Sequence, residues 1–154
     1  MMNQQSLEGV ELELALLIRR LTSMISYQKV GSLDRAAYLL LTQISLGGAC
    51  SIKTLSHTFH LDISTVSRQV SALEQKGYIR RVPDELDGRA FILSITELGE
   101  QLLSDDKANR IARLGHVLDN WTDAEMKQFG ELLKKFNHSV VEAEYMEKVP
   151  QHDS

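Results

Sequence analysis

Between Asp62 and Arg89 the chain reads DISTVSRQVSALEQKGYIRRVPDELDGR, and its chemistry is that of hydrogen-bond donors. At 100° per residue, Ser64, Arg68, Ser71 and Gln75 share one side of a helix, with Thr65 and Ser67 on the flanks. Val66, Val70 and Leu73 lie opposite, with Ile63 at their edge. A solvated helix face ordinarily carries mixed Glu and Lys pairs. This one is small and polar, its single charge is positive, and Ser, Thr, Gln and Arg are the side chains that reach phosphate oxygens and base edges. Taken alone, the same pattern also fits a serine-rich exposed helix.

Reactive groupings are missing elsewhere. His57, His60, His116, His138 and His152 are scattered, without an HExxH pattern or a close Cys/His/Asp cluster, and His57 and His60 read as surface or turn histidines. No GxGxxG, P-loop or nucleophile elbow occurs. An enzyme, a metal site and a cofactor are therefore not expected. Cys50, the one cysteine, rules out a disulfide within one chain and fits a reducing compartment; it reads as a small buried apolar residue, with oxidant sensing as the alternative.

The elements that must hold the polar face follow from periodicity. Leu7, Val10, Leu14, Leu17, Leu21 and Met24 make an amphipathic first helix over 7–27, able to bury against its own domain or a second subunit. Ser32 is the expected N-cap of a second helix, LDRAAYLLLTQISL, with Ala36, Leu39, Leu40 and Ile44 inward and a stop at Gly47-Gly48. Ser51 caps a short third helix and Asp62 a fourth that ends near Gly77, so "HLD" joins two short helices in a helix-turn-helix. YIRRV and RAFILSI then read as two strands around PDELDG, with Asp87-Gly88 offering a positive-φ turn and Arg89 near the tip. Asp87 beside a polyanion makes sense as an orienting partner that holds the Arg89 guanidinium by a bidentate pair; the bland alternative is that the two merely close the hairpin. Thr96 caps a long fifth helix, and Thr122-Asp123-Ala124-Glu125 is a capping box opening a sixth whose Met126, Phe129, Leu132, Leu133, Phe136, Val140 and Val141 form a broad apolar face.

Composition agrees with one mainly helical domain over 1–154: 154 residues, 43% hydrophobic, 25% charged, two prolines outside the periodic segments. The opening MMNQQSLEGVE has neither basic n-region nor apolar h-region, and the longest apolar runs are too short to span a bilayer, so a cytoplasmic protein without a membrane partner is expected. The net charge of −4 speaks weakly against nucleic acid, but the acid is concentrated in 97–154, with twelve acidic against seven basic residues, which leaves Lys53, Arg68, Lys76, Arg80, Arg81 and Arg89 in the middle.

Four stretches, Thr65-Val66-Ser67-Arg68, Leu73-Glu74-Gln75-Lys76-Gly77-Tyr78-Ile79, Asp87-Gly88-Arg89 and Ile95-Thr96-Glu97-Leu98-Gly99, resemble in order and spacing the recognition helix and wing of the MarR family of bacterial transcription regulators. One departure is His60, where the family usually turns on glycine; histidine tolerates positive φ better than most residues. The resemblance implies a winged helix-turn-helix lobe over 33–95 and a helical dimerisation region over 7–30 and 96–146. It further implies a homodimeric repressor on double-stranded DNA, released from a pseudo-palindromic operator by a small, often aromatic, effector. On that reading Ser64, Thr65, Ser67, Arg68, Gln69 and Ser71 serve groove and phosphate contacts, Lys53 positions the backbone, and Arg89 enters the minor groove. Met24, Tyr27 and Tyr38 are candidates for an effector crevice, although residues of these types are also common in cores. A winged helix used only to bind protein is the alternative from another class.

Overall fold

A computed structural model describes residues 3–26, 33–48 and 50–148. In chain order they form α1 (Gln4–Ser26), α2 (Arg35–Gly47), α3 (Ile52–Phe59), α4 (Ile63–Gln75), β1 (Ile79–Pro83), β2 (Phe91–Ile95), α5 (Glu97–Val117) and α6 (Asp123–Lys148). The chain is mainly helical with one small hairpin, as the periodicities require. It divides within α5 into two compact units, Met1–Lys107 and Ala108–Ser154. Among the described residues no helix is long and apolar enough to cross a membrane.

The core of the first unit is built by α2, α3, α4 and the hairpin. Leu41, Leu55, Val66 and Val70 are fully buried, with Leu40, Ile44, Leu73, Ile79 and Leu93 nearly so. Burying each such side chain contributes about 1.5–3 kcal/mol, enough for a few short helices to hold together. Two details of α2 differ from the sequence reading. Its N-cap is Asp34, whose carboxylate accepts from the Ala37 amide at 2.8 Å, while Ser32 lies outside the described residues. Its inward stripe is Leu40, Leu41 and Ile44, leaving Leu39 exposed: three consecutive leucines cannot all face one side at 100° per residue, and the neighbours that α2 packs against select the inward ones.

The turn between α3 and α4 stands on His60, the one described non-glycine residue with positive φ (51°). Behind it the Leu61 amide donates to the Ser56 carbonyl at 3.1 Å, so the left-handed residue closes α3 as a C-terminal glycine ordinarily does. Helix α4 ends in the same way: Gly77 has φ 77°, and the Tyr78 amide donates to the Leu73 carbonyl at 3.0 Å.

Strands β1 and β2 pair antiparallel, Ile79 opposite Ile95 and Pro83 opposite Phe91. The Cys50 carbonyl accepts from the Leu93 amide at 2.7 Å, adding a single bridge on the far side of β2. Thr96 anchors the other end of the hairpin: its amide donates to the Tyr78 carbonyl at 2.9 Å, its hydroxyl donates to the Gly77 carbonyl at 2.6 Å and accepts from the Gly99 amide at 3.1 Å.

In the second unit the capping box is complete. Glu125 accepts from the Thr122 amide at 2.8 Å and from its hydroxyl at 2.9 Å, and Thr122 accepts from the Glu125 amide at 3.2 Å. Trp121, just outside the box, sets its ring edge-on to Phe129 at 5.3 Å. The Thr122 backbone and then its side chain hold the Glu125 carboxyl below the ordinary glutamate range. A carboxyl whose folded-state pKa is lowered stabilises the fold above its unfolded-state value and loses that contribution as pH falls through the folded one. Glu125→Gln is therefore expected to lower stability at neutral pH and to converge on wild type in acid, as read from unfolding curves across pH; a gap that persists in acid would locate the effect elsewhere.

Candidate nucleic-acid interface

Helix α4 presents the face that its spacing predicts. Val66, Val70 and Leu73 are buried, Ser64, Arg68 and Gln75 are exposed, and Thr65, Ser67 and Ser71 are half-buried around them. The first turn of α4 is open as well. Asp62 occupies the N-cap position but its side chain makes no capping bond, unlike Ser51 at α3, which accepts from the Thr54 amide at 3.0 Å. Uncapped amides at a helix start can receive an anion, although here the exposed Asp62 carboxylate beside them opposes one by its own charge. Lys53 is exposed in the first turn of α3.

Gln69 departs from the groove-facing role expected of it. It is half-buried at the edge of the packing side, and its Oε1 is enclosed without a hydrogen-bond partner. Its position, three residues from both Val66 and Ala72, already puts it on that edge.

The wing explains how acidic residues can stand beside a basic tip. Asp84 accepts from the Leu86 amide at 2.9 Å and Asp87 from the Arg89 amide at 3.1 Å, while the Asp84 amide donates to the Ala90 carbonyl at 3.0 Å. Asp84 and Asp87 therefore shape the turn, while Glu85, the third carboxylate of the wing, is exposed. In place of the guanidinium pair expected of Asp87, its bond goes to the main chain of Arg89, and Gly88 does not take the positive φ foreseen for it. The Arg89 side chain is exposed, and neither it, Arg68 nor Lys53 forms an ion pair among the described residues.

The one carboxylate within α4, Glu74, is engaged too. Its Oε2 accepts from Arg81 Nε at 2.7 Å, across the turn that leads into β1. Sequence spacing does not signal this pair, because its members are seven residues apart on different elements, a separation that means nothing until the Gly77 turn folds one over the other.

Other candidates behave differently. Cys50 is 2% exposed, and burial pushes its thiol above the ordinary cysteine value, so the reactive thiolate is disfavoured. Tyr38 is half-buried and packs on the core; Tyr27 and the Met24 side chain lie outside the described residues. Among the described residues no three His, Cys, Asp or Glu side chains gather as a metal site.

Comparison with known proteins bears on the same segment. The model of the MarR family matches residues 33–91, from the start of α2 to the start of β2. The chain is 42% identical over 143 residues to a Bacillus subtilis protein described as the uncharacterized HTH-type transcriptional regulator YxaD, covering 92% of this chain and 100% of that one. A solved MarR family protein from Bacillus stearothermophilus superposes with a TM-score of 0.71 at 22% identity, over 92% of this chain and 99% of its own. A cysteine-to-serine mutant of MarR from E. coli, solved in complex with operator DNA, gives 0.57 at 22% identity over 68% and 75% of the two chains. At these identities the two solved structures speak for the fold.

Proposed function

The chain belongs to the MarR family and is a transcriptional regulator, and from that premise we propose that it is a homodimeric, cytoplasmic repressor that reads a pseudo-palindromic operator and leaves it when a small aromatic ligand binds. The observation that carries the DNA-binding part is the state of the charges around α4 and the wing. Arg68, Arg89 and Lys53 are exposed and unpaired among the described residues. Glu74 is paired with Arg81, and Asp84 and Asp87 are turned to the wing's backbone amides, which leaves Asp62 and Glu85 as the exposed carboxylates there without a bond. A net-acidic protein thereby keeps exposed, unpaired cations among the hydrogen-bond donors of α4 and the wing.

In this reading α4 enters the major groove. Ser64, Thr65, Ser67 and Ser71 donate to phosphates and base edges, Arg68 reads a base, Lys53 fixes the backbone, and Arg89 reaches the minor groove beside the wing. Dimerisation is supported by apolar surface that a single chain leaves wet. Leu7, Val10, Leu17 and Leu21 on α1, and Phe129, Leu132, Leu133 and Phe136 on α6, are each more than 40% exposed. Two-fold symmetry then sets the operator half-sites about one helical turn apart. Release by an aromatic ligand near Met24, Tyr27 and Tyr38 follows the family resemblance; such a ligand shifts the protein only by its preference for the form that does not fit DNA.

The test is fluorescence anisotropy with the duplex upstream of the protein's own gene and a scrambled duplex at one stated salt concentration. Affinity about a thousandfold higher for the native duplex is the expected result. Failure to bind any duplex at low salt would refute the reading. Within it, Arg89→Ala should weaken binding and, where the guanidinium in the minor groove displaces a counterion, reduce the slope of log affinity against log salt by about 0.9. An unchanged slope would leave Arg89 without that counterion-displacing role, and unchanged affinity as well would remove it from the DNA surface.

A further inference from the structure

We propose that the ion pair between Glu74 and Arg81 fixes the angle between α4 and the wing, making both residues positioning residues for sequence-specific DNA binding; the inference rests on the DNA-binding reading above. Glu74 lies in the last turn of α4 and Arg81 in the middle of β1, and the 2.7 Å bond joins the two elements that would enter adjacent grooves. Both side chains are about one-third exposed, 35% for Arg81 and 38% for Glu74, so the pair sits at the surface, with Ser71 and Gln75 of the outer face beside it in one shallow groove.

An exposed ion pair stabilises a fold by little. Its leverage over geometry is larger. The base of the hairpin is held by buried Ile79 and by the Thr96 bonds to Gly77 and Tyr78. At the level of Arg81, β2 is tied through buried Leu93, whose amide donates to the Cys50 carbonyl at 2.7 Å, and the Glu74 bond is the matching tie on β1. From Arg81 to the turn that carries Arg89 is three to four strand residues, roughly 10–13 Å. A tilt of about 10° at Arg81 therefore moves the tip by roughly 2 Å, several times the ~0.5 Å within which a binding constellation must be held. The planar guanidinium suits this task, since a bond from Nε constrains its direction as well as its distance.

Charge gives the proposal a signature that a simple electrostatic role lacks. Neutralising Glu74 removes a negative charge from beside the DNA surface, which by itself strengthens binding to every duplex. Loss of positioning weakens only the cognate one. The experiment measures affinity of the full-length protein for a duplex that wild type selects from a random pool and for an unselected duplex, with thermal melts confirming that each variant is folded. Glu74→Gln is expected to lower the ratio of selected to unselected affinity about tenfold while leaving unselected binding equal or stronger, and Arg81→Gln to lower the ratio similarly. The exchange Glu74→Arg with Arg81→Glu should restore the ratio to within about threefold of wild type. A ratio unchanged in Glu74→Gln would overturn the proposal. So would an exchange variant that folds without regaining specificity, the result expected if Arg81 itself contacts phosphate. Should wild type enrich no duplex at all, the DNA-binding reading fails first and takes this one with it.

Discussion

Gly99→Ala should destabilise the protein by about 2 kcal/mol, although alanine favours a helix interior over glycine by about 1 kcal/mol. The sign is decided by what a methyl group would meet. A β-carbon built on Gly99 falls on the Tyr78 carbonyl oxygen and 2.8 Å from Ile95 Cγ1. The carbonyl has no freedom to retreat, because it accepts the Thr96 amide at 2.9 Å, and that amide opens the turn that caps α5. Relief requires α5 to lift from the base of the hairpin, loosening buried Leu103 and the Thr96 hydroxyl bond to Gly77. Overpacking of this kind typically costs about 1–3 kcal/mol, which exceeds the propensity gain. Gly115, later in the same helix, has open space within 4 Å of where a methyl group would stand, and there alanine should stabilise by about 0.5–1 kcal/mol. Urea unfolding of the two variants at one fixed protein concentration separates the cases. A Gly99→Ala variant as stable as wild type or more so would mean that α5 does not approach the Tyr78 carbonyl.

Gly99 also marks where sequence reading stops. Its place in Ile95-Thr96-Glu97-Leu98-Gly99 is legible as a motif, yet the reason for a glycine lies in the carbonyl of Tyr78, on the other side of the hairpin. Elements set by local pattern are readable: the α4 stripe, the His60 turn, the hairpin and the Thr122–Glu125 box depend on residues within a few positions of one another. The points where structure and sequence part share a cause. Asp34 caps α2 although Ser32 is as competent by residue type, and which of Leu39, Leu40 and Leu41 face inward depends on what α2 packs against; neither is written in local pattern. In the candidate site the cations can be named from sequence, but which of them pairs with a nearby carboxylate cannot. Asp84, Asp87 and Glu74 each have several chemically reasonable partners, and only the folded turn directs the first two to backbone amides and the third to Arg81.

Arg68→Ala should lower affinity for the cognate operator by about 1–3 kcal/mol, some five- to 150-fold, and change binding to random duplex far less. Arg68 is exposed at the centre of the α4 outer face, between Ser64 one turn before it and Gln75 two turns after. It makes no ion pair among the described residues, so its guanidinium meets DNA without first breaking an internal bond. Two contacts are open to such a group. A fork placed on guanine O6 and N7 gives base discrimination, whereas a salt link to phosphate gives affinity without discrimination. They differ in three measurable ways. The base contact predicts that the penalty of Arg68→Ala disappears on an operator altered at one base pair, that the salt slope changes little, and that Arg68→Lys fails to restore specificity because a point-like ammonium cannot reproduce the fork. The phosphate contact predicts uniform weakening on all duplexes, a slope smaller by about 0.9, and substantial rescue by lysine. The central position of Arg68, farthest from the buried stripe of Val66, Val70 and Leu73, favours the first set, because that line of the helix goes deepest into a major groove while the flanking Thr65 and Ser67 face its walls.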